Sequence, residues 1–330
     1  MNPGHHIDPS VPIYSGSIHY LKRQEIDTAR WDACITTALN GLIYSRSFYL
    51  DAMAAGQWDA LVLDDYKAVM PLTWRRKTGI RYLCQPAFTQ QTGIFFGQTF
   101  APAEAAPPAG AAPPAGPLID LFLRQAARHF RFAEIFLNYG NALPHLPQHT
   151  NFILNLDAPY TALSANYKKD LVRNLKEAAR STLHYTKEFD LHTALHDFRS
   201  EYASGLPNIR DEDYRHFETL CLFLQQQGQL LVRAVTDGQQ QRLSTAVLLR
   251  DTGRFYLLHS TTLPAGRATE AGHFLLDQFI REWAGNPMIL DFEGSDHPGI
   301  AHFYRNFGCT DQPYFFYRHN HLPWPLRLLK

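Results

Sequence analysis

The densest run of groups able to move protons is Asp291-Phe292-Glu293-Gly294-Ser295-Asp296-His297, which gathers carboxylates, a hydroxyl and an imidazole in one loop. It closes MILDFEGS (288–295), which reads as a strand ending in polar residues. The carboxyl ends of strands are where sites form in α/β sheets. Glu293 or His297 could take a proton from an attacking amine, directly or through water. Asp291 and Glu293 stand two apart and are expected on one strand face. A capped turn with a solvated charge cluster fits the same residues.

Three other groupings carry possible chemistry. Trp74-Arg75-Arg76-Lys77 is the densest positive run, with Arg81 and Tyr82 behind it. Guanidinium forks match phosphate and carboxylate geometry, so Arg75, Arg76 and Lys77 are candidates to hold an anion. A solvated hairpin end is the competing reading. Gln90 and Gln91, with Gln85 and Thr89, lie in the polar segment QPAFTQQTG, which suits a binding cleft or a turn. His259 ends an internal strand beside Ser260, facing a cleft or satisfied in the core. His192 and His196 are four apart, but HTALH lacks the glutamate of a hydrolytic HExxH and no third ligand can be named. No metal site is expected.

The elements that must position these groups follow from periodicity and turn residues. In the first half, Ile18–Leu21 reads as a strand, and Gln24–Leu39 and Ser45–Ala55 as helices, with Ser47 a plausible cap. Segments 58–63 and 67–74 read as a hairpin, with further strands near Ile80–Gln85 and Gly93–Phe96. A helix over 118–130 precedes strands 133–138 and 150–156. In the second half, one long helix is expected from Ala162 to Ser181, followed by a strand at Leu183–Thr186. Lys169, Arg173, Lys176 and Arg180 would form one positive face on that helix, with Leu171, Leu175 and Ala179 inward. Such a face could track tRNA phosphates or simply meet solvent. Helices at His196–Ala203 and Glu212–Gln227 lead to strands 230–238, 243–251 and 254–262. A helix over Thr269–Ala284, the strand 288–295, a helix Pro298–Phe307 with Gly308 at its C-cap and a strand 313–319 complete the pattern.

The whole chain bounds these readings. It has 330 residues, which predicts two domains. Lys+Arg and Asp+Glu are both 31, so no global basic surplus exists for gripping nucleic acid. Cys34, Cys84, Cys221 and Cys309 are scattered and form no CxxC pair, which fits reduced thiols rather than a disulfide framework or zinc site. No signal pattern and no apolar run of about 20 residues is present, so a cytoplasmic protein without a transmembrane segment is expected. Residues 1–17 read as an extension. APAEAAPPAGAAPPAGP (101–117) reads as an exposed, low-complexity insert. The halves repeat one order of helices, hairpin, helix and strand, which predicts duplicated α/β domains over 18–157 and 158–330.

The segment ILDFEGSDHPGIAHFYRNFGCTDQPYFFYRH contains A-x-x-F-Y-R-x-x-G-C, which resembles the closing strand-helix-strand of GNAT N-acyltransferases. With the basic helix, the DFEGS strand and two such halves, residues 18–318 resemble the FemAB-like (FemABX) peptidyltransferases. The resemblance implies tandem GNAT-like domains of mixed α/β class. It implies acyl or aminoacyl transfer to a small-molecule or peptide amine acceptor. No tightly bound cofactor is implied, only acyl-CoA or aminoacyl-tRNA as co-substrate. Tyr304 matches the tyrosine that protonates a departing thiolate in many GNAT members; packing beside Phe303 and Phe307 is its other reading. The acyl-CoA pyrophosphate motif maps onto PAGRATEAGHFLL, where Gly266, Arg267, Thr269 and Gly272 could hold a phosphate or terminal nucleotide. Glu270 replaces the middle glycine there, and a carboxylate repels phosphate. A loop and helix cap explain that stretch too. In Fem-type enzymes the first domain helps bind a nucleotide-linked peptidoglycan precursor, a role that would fall to Arg75–Lys77. The competing function is a non-catalytic ligand-binding or scaffold protein of this fold.

Overall fold

The computed structural model describes residues 16–98, 116–206 and 208–329. Most of the expected N-terminal extension and of the 101–117 insert lies outside the described residues. Along the chain the elements are β1 (Ile18–Lys22), α1 (Thr28–Thr37), α2 (Ser47–Met53), β2 (Trp58–Leu63), β3 (Ala68–Lys77), β4 (Ile80–Cys84), β5 (Phe95–Phe96), α3 (Gly116–His129), β6 (Phe132–Leu137), β7 (Gln148–His149) and β8 (Phe152–Asn155). They continue as α4 (Tyr160–Ser164), α5 (Lys169–Ala178), β9 (Leu183–Thr186), α6 (Leu191–Tyr202), α7 (Asp211–Gln226), β10 (Leu230–Asp237), β11 (Arg242–Arg250), β12 (Arg254–Thr262), α8 (Pro264–Arg267), α9 (Ala271–Trp283), β13 (Ile289–Asp291), α10 (Pro298–Arg305), β14 (Thr310–Asp311) and β15 (Tyr314–Asn320).

The described residues fall into two compact units. One takes its residues from Met1–Gln85, Gln91–Pro147 and Phe315–Lys330, the other from Pro86–Gln90 and Gln148–Tyr314. In the first unit the strands run β1-β2-β3-β4-β6-β15, with β5 on β3. All neighbours are antiparallel except β4 and β6, which pair in parallel through Leu83↔Ala133 and Cys84↔Glu134. In the second unit the order is β14-β8-β13-β12-β11-β10-β9, again antiparallel except for one parallel pair, β12 with β13. In each unit a strand and two helices, β1-α1-α2 in the first and β9-α6-α7 in the second, lead into the hairpin, and a helical crossing, α3 in the first and α8 with α9 in the second, reaches the parallel strand, the duplicated mixed α/β architecture expected from the repeat. The strand beside the parallel one comes from β8 in the second unit. In the first unit it comes from β15, at the far end of the chain.

Burial explains the cores. Leu154, Leu248, Phe255, Leu275, Phe279 and Leu290 cluster between sheet and helices in the second unit. Leu61, Met70, Leu83, Phe122, Ile135 and Phe315 do so in the first. Five local expectations are corrected. The long helix is interrupted: α4 ends at Ser164, and α5 starts only at Lys169, after Tyr167 turns into the core. On α5 the buried residues are Leu171 and Ala178, and Ala179 is exposed. Ser47 does not cap its helix; Arg46 holds that position, and the Ser47 hydroxyl donates to Asp32 Oδ2 at 2.7 Å. The strand expected over 288–295 stops at Asp291. The helix expected from His196 starts earlier, where Asp190 accepts from the Thr193 backbone N–H at 2.7 Å and caps α6.

Candidate functional site

The parallel pair of the second unit diverges. β12 runs for 9 residues and β13 for 3, and their register ends at Tyr256↔Asp291. Past that point β12 continues against β11 as far as Ser244↔Thr262. The chain leaving β13 follows β8 instead, with the Phe292 N–H donating to Phe152 O at 3.0 Å. Among the described residues no segment pairs with the β13-side edge of 257–262. A backbone edge inside a sheet is a row of donors and acceptors open to an extended partner. A register shift beside this opening leaves Leu258 without an opposite residue on β11.

The loop after β13 is held by hydrogen bonds. Asp291 is buried and fully engaged: Arg254 Nη1 donates to it at 2.5 Å, Asn151 Nδ2 at 3.0 Å and the Glu293 N–H at 3.0 Å. Glu293 takes a left-handed backbone at φ 56°. Strand alternation therefore breaks, and the expectation that Asp291 and Glu293 share a strand face is wrong. Asp291 anchors the loop, and Glu293 leaves in its own direction. At Gly294 a Cβ would stand 2.6 Å from Asn151 Cα, so only glycine permits the loop to cross β8 so closely. Gly294 N donates to Asn151 Oδ1 at 2.7 Å, and Gln90 Nε2 lies 3.4 Å from Gly294 O.

Glu293 Oε1 is buried without a hydrogen-bond partner. Burial alone pushes this carboxyl well above the ordinary carboxylate range. Tyr304, on α10, is 9% exposed and packs its ring 5.0 Å from Phe292 and 5.4 Å from Phe303. Its phenol is raised by burial first, then by the charges of Tyr202 and Glu293, so it stays protonated. The Tyr314 phenol is raised by burial and by Asp296, Glu293 and Asp291. Glu293 and Tyr304 are thus electrostatic neighbours. His297 lies apart from them in burial: it is exposed at the N-cap of α10, where its N–H meets Ser295 Oγ at 3.0 Å.

The α8–α9 corner holds the second group of expected residues. A Cβ on Gly266 would sit 2.1 Å from Leu243 O, and one on Gly272 2.4 Å from Thr262 Oγ1. Both glycines are therefore demanded by packing against β11 and β12. Thr269 Oγ1 donates to Gly266 O at 3.3 Å, and the half-exposed Arg267 pairs with Glu201 at 2.7 Å. Glu270 caps α9 in a left-handed conformation, and its carboxylate meets His273 Nδ1 at 2.7 Å. His259 is 3% exposed, stacks on Phe198 at 3.7 Å, and has no hydrogen-bond partner on either ring nitrogen. Burial lowers its pKa to about 3.

The first unit holds the remaining candidates. Arg76 and Lys77 are exposed at the β3–β4 hairpin tip, turned by Thr78 and Gly79 at positive φ, and Arg75 is half-buried opposite Tyr82. Gln91 is fully buried and accepts from the Tyr139 N–H at 3.0 Å. Arg173 on α5 pairs with Asp170 of the same helix, and Arg180, just past its C-cap, pairs with Glu177. Among the described residues no helix is long and apolar enough to cross a membrane, and no group of three His, Cys, Asp or Glu could hold a metal. Sequence reasoning missed Arg254, Asn151, Tyr202, Tyr314 and Phe88. Only Tyr314, inside the quoted C-terminal segment, gave any signal.

No protein-family model and no curated protein matches the sequence. Solved structures do match in shape. FemX superposes with a TM-score of 0.57 at 13% identity, over 92% of this chain and 98% of that one. A conserved protein of unknown function from Bacteroides thetaiotaomicron gives 0.52 at 9% identity, over 91% and 99%. The C-terminal domain of a putative lysylphosphatidylglycerol synthetase from Agrobacterium fabrum gives 0.51 at 10% identity, over 92% and 94%. The chain has the FemX fold, as the resemblance implied.

Proposed function

We propose that the second unit transfers an acyl or aminoacyl group from a carrier to an amine. Two observations carry this reading: the edge of β12 beyond Tyr256 is unpaired among the described residues, and the loop after its parallel partner β13 carries Glu293, whose Oε1 is buried without a partner and whose carboxyl is an electrostatic neighbour of the protonated Tyr304 phenol. An extended, amide-bearing carrier arm can hydrogen-bond to that edge as a strand would. The fold shared with FemX and with a putative lysylphosphatidylglycerol synthetase supports the same class of reaction.

The acceptor amine attacks the carbonyl carbon and a C–N bond forms. Glu293, once ionised, takes the proton that the nitrogen releases; its raised pKa makes it a better base than an ordinary carboxylate. The C–S or C–O bond to the carrier breaks, and the Tyr304 hydroxyl gives its proton to the leaving sulfur or oxygen. Glu293 then releases its proton to solvent, and solvent restores the phenol. Arg267 orients the donor by exchanging Glu201 for a phosphate. Gly266, Thr269 and Gly272 shape that corner, and the exposed cations of α5 contact a tRNA carrier. His297 at the loop rim, and Gln90 through Gly294, position the acceptor. Within the first unit, Arg75, Arg76 and Lys77 bind an anionic group in this reading.

Glu270 favours a second reading, a non-catalytic ligand-binding protein of the same fold. Its carboxylate sits at the N-terminus of α9, where a pyrophosphate would otherwise find backbone N–H groups. Incubating the protein with acetyl-CoA or with a charged tRNA pool, with and without amines, separates the two. Transfer lost in Glu293→Gln supports the enzyme; binding without transfer in every combination supports the second reading.

A further inference from the structure

Four buried polar atoms of the second unit have no hydrogen-bond partner: His259 Nδ1 and Nε2 inside an aromatic box, the hydroxyl of Tyr214, whose ring meets a wall of that box, and Thr261 Oγ1, two positions from His259 on β12. Native interiors satisfy nearly all such groups, because each orphan loses its hydration for nothing. His259 and Thr261 are two apart beyond the β12 register shift, so they share the sheet face that α6 and α7 cover. Phe198 stacks on the imidazole, and Phe217 meets it at 4.8 Å. The remaining wall is Phe88, whose ring lies 5.2 Å from His259, 4.7 Å from Phe217 and 5.3 Å from the Tyr214 ring.

Phe88 stands apart from the other walls. It comes from Pro86–Gln90, a short segment of the second unit whose chain neighbours belong to the first. Its φ is 54°, a left-handed backbone that a bulky side chain rarely adopts. Strain of this kind gathers at ligand clamps and switches. Phe198 and Phe217 sit on regular helices and carry no such strain.

We infer that the box is a ligand pocket and that Phe88 is its plug, holding the place of an incoming aromatic or heteroaromatic ring with a polar edge. When Phe88 swings out, the ligand ring packs on Phe217 and its polar edge meets His259 and Thr261. A neutral imidazole offers one N–H donor and one lone pair, so it reads a neutral ligand with both functions. That this ring belongs to the amine acceptor rests on the transferase reading; the pocket itself does not.

The test is a titration of the full chain with p-cresol, benzimidazole and toluene, following the ring 15N resonances of His259, assigned by their loss in His259→Phe. The expected result is that p-cresol and benzimidazole shift those resonances, and that Phe88→Ala binds both at least about 10-fold more tightly than the wild type. Toluene should bind at least about 10-fold more weakly than p-cresol, and His259→Phe in the Phe88→Ala background should erase that preference. Equal binding of toluene and p-cresol would reveal a plain apolar hole and overturn the proposal. Silent His259 resonances in wild type and variant alike would overturn it as well. If Phe88→Ala does not fold, the wild-type titration and Phe88→Leu decide. No donor is present and no transfer is read, so this pocket can fail while the transferase reading stands, and the reverse.

Discussion

Both units build one parallel strand pair into an otherwise antiparallel sheet, yet among the described residues only the second leaves the strand edge beyond that pair unpaired. In the first unit β4 ends at Cys84, and the chain returns to fill the gap. Thr92 bridges Leu137 in parallel; its N–H donates to Phe136 O at 2.8 Å, and its carbonyl accepts from the Asn138 N–H at 2.8 Å. Gln85 Oε1 accepts from Phe136 N at 3.2 Å. Asn40, Asn138 and Asn141 then converge on Ile94 O at 2.8, 3.1 and 2.9 Å. Gly93, at φ 98°, lets the segment pass where a Cβ would lie 2.3 Å from Asn141 Oδ1. The second unit has a charged anchor, Asp291 with Arg254, in place of this amide plug. Topology alone does not make a site. What matters is whether the chain comes back to satisfy the strand edge it exposed.

The contrast is tested hardest by chemistry at the open gap. Tyr304→Phe is expected to lower turnover by about 10²–10⁴-fold while leaving the thermal melt unchanged. Unaltered turnover would remove its proton transfer. The pH profile should show an acid limb above the usual carboxylate value of about 4.3, because rate rises as the buried Glu293 ionises. Glu293→Gln should abolish that limb.

Next in size comes the anchor. Arg254→Ala leaves Asp291 buried and unpaired and should cost about 3–5 kcal/mol in denaturant unfolding. In the plugged unit, Asn138→Ala removes the acceptor of the Gly140 N–H and of one of the two Asn40 Nδ2 hydrogens and should cost about 1–3 kcal/mol. An equal loss at both positions would mean that the charged anchor is no more than another polar plug.

A subtler effect concerns His259. Its folded pKa is depressed to about 3 from an unfolded value of about 6.5. The neutral ring therefore contributes stability that is fully present above about pH 6.5 and lost as pH falls toward 3. His259→Phe should flatten stability across that window, measured by urea midpoints at several pH values. The smallest effect is expected at the exposed Arg76 and Lys77, where alanine should change stability by less than about 0.5 kcal/mol.

Legibility followed locality. The hairpin Trp58–Leu63 with Ala68–Lys77 and the helix Pro298–Arg305 were readable because alternation, turn residues and caps act within a few positions. Glu293 and Tyr304 were readable as candidates from residue type. Their shared burial was not, since it depends on β13 stopping after three residues and on Asn151 meeting Gly294 from 143 positions away. The left-handed backbones of Glu293 and Phe88 gave no local sign, because neither residue prefers that conformation. The interrupted basic helix escaped notice because a continuous period of charge and leucine looks unbroken until Tyr167 finds the core.

Composition and period, acting over short stretches, were enough to specify the kinds of elements, their order and the twofold repeat. Long-range contacts alone chose which of two equivalent strand edges the chain satisfies with its own amides and which it leaves unpaired. The reason is that a backbone donor or carboxylate is indifferent to its neighbours in sequence. Its partner, its burial and therefore its proton affinity are set by whatever distant segment folding brings against it.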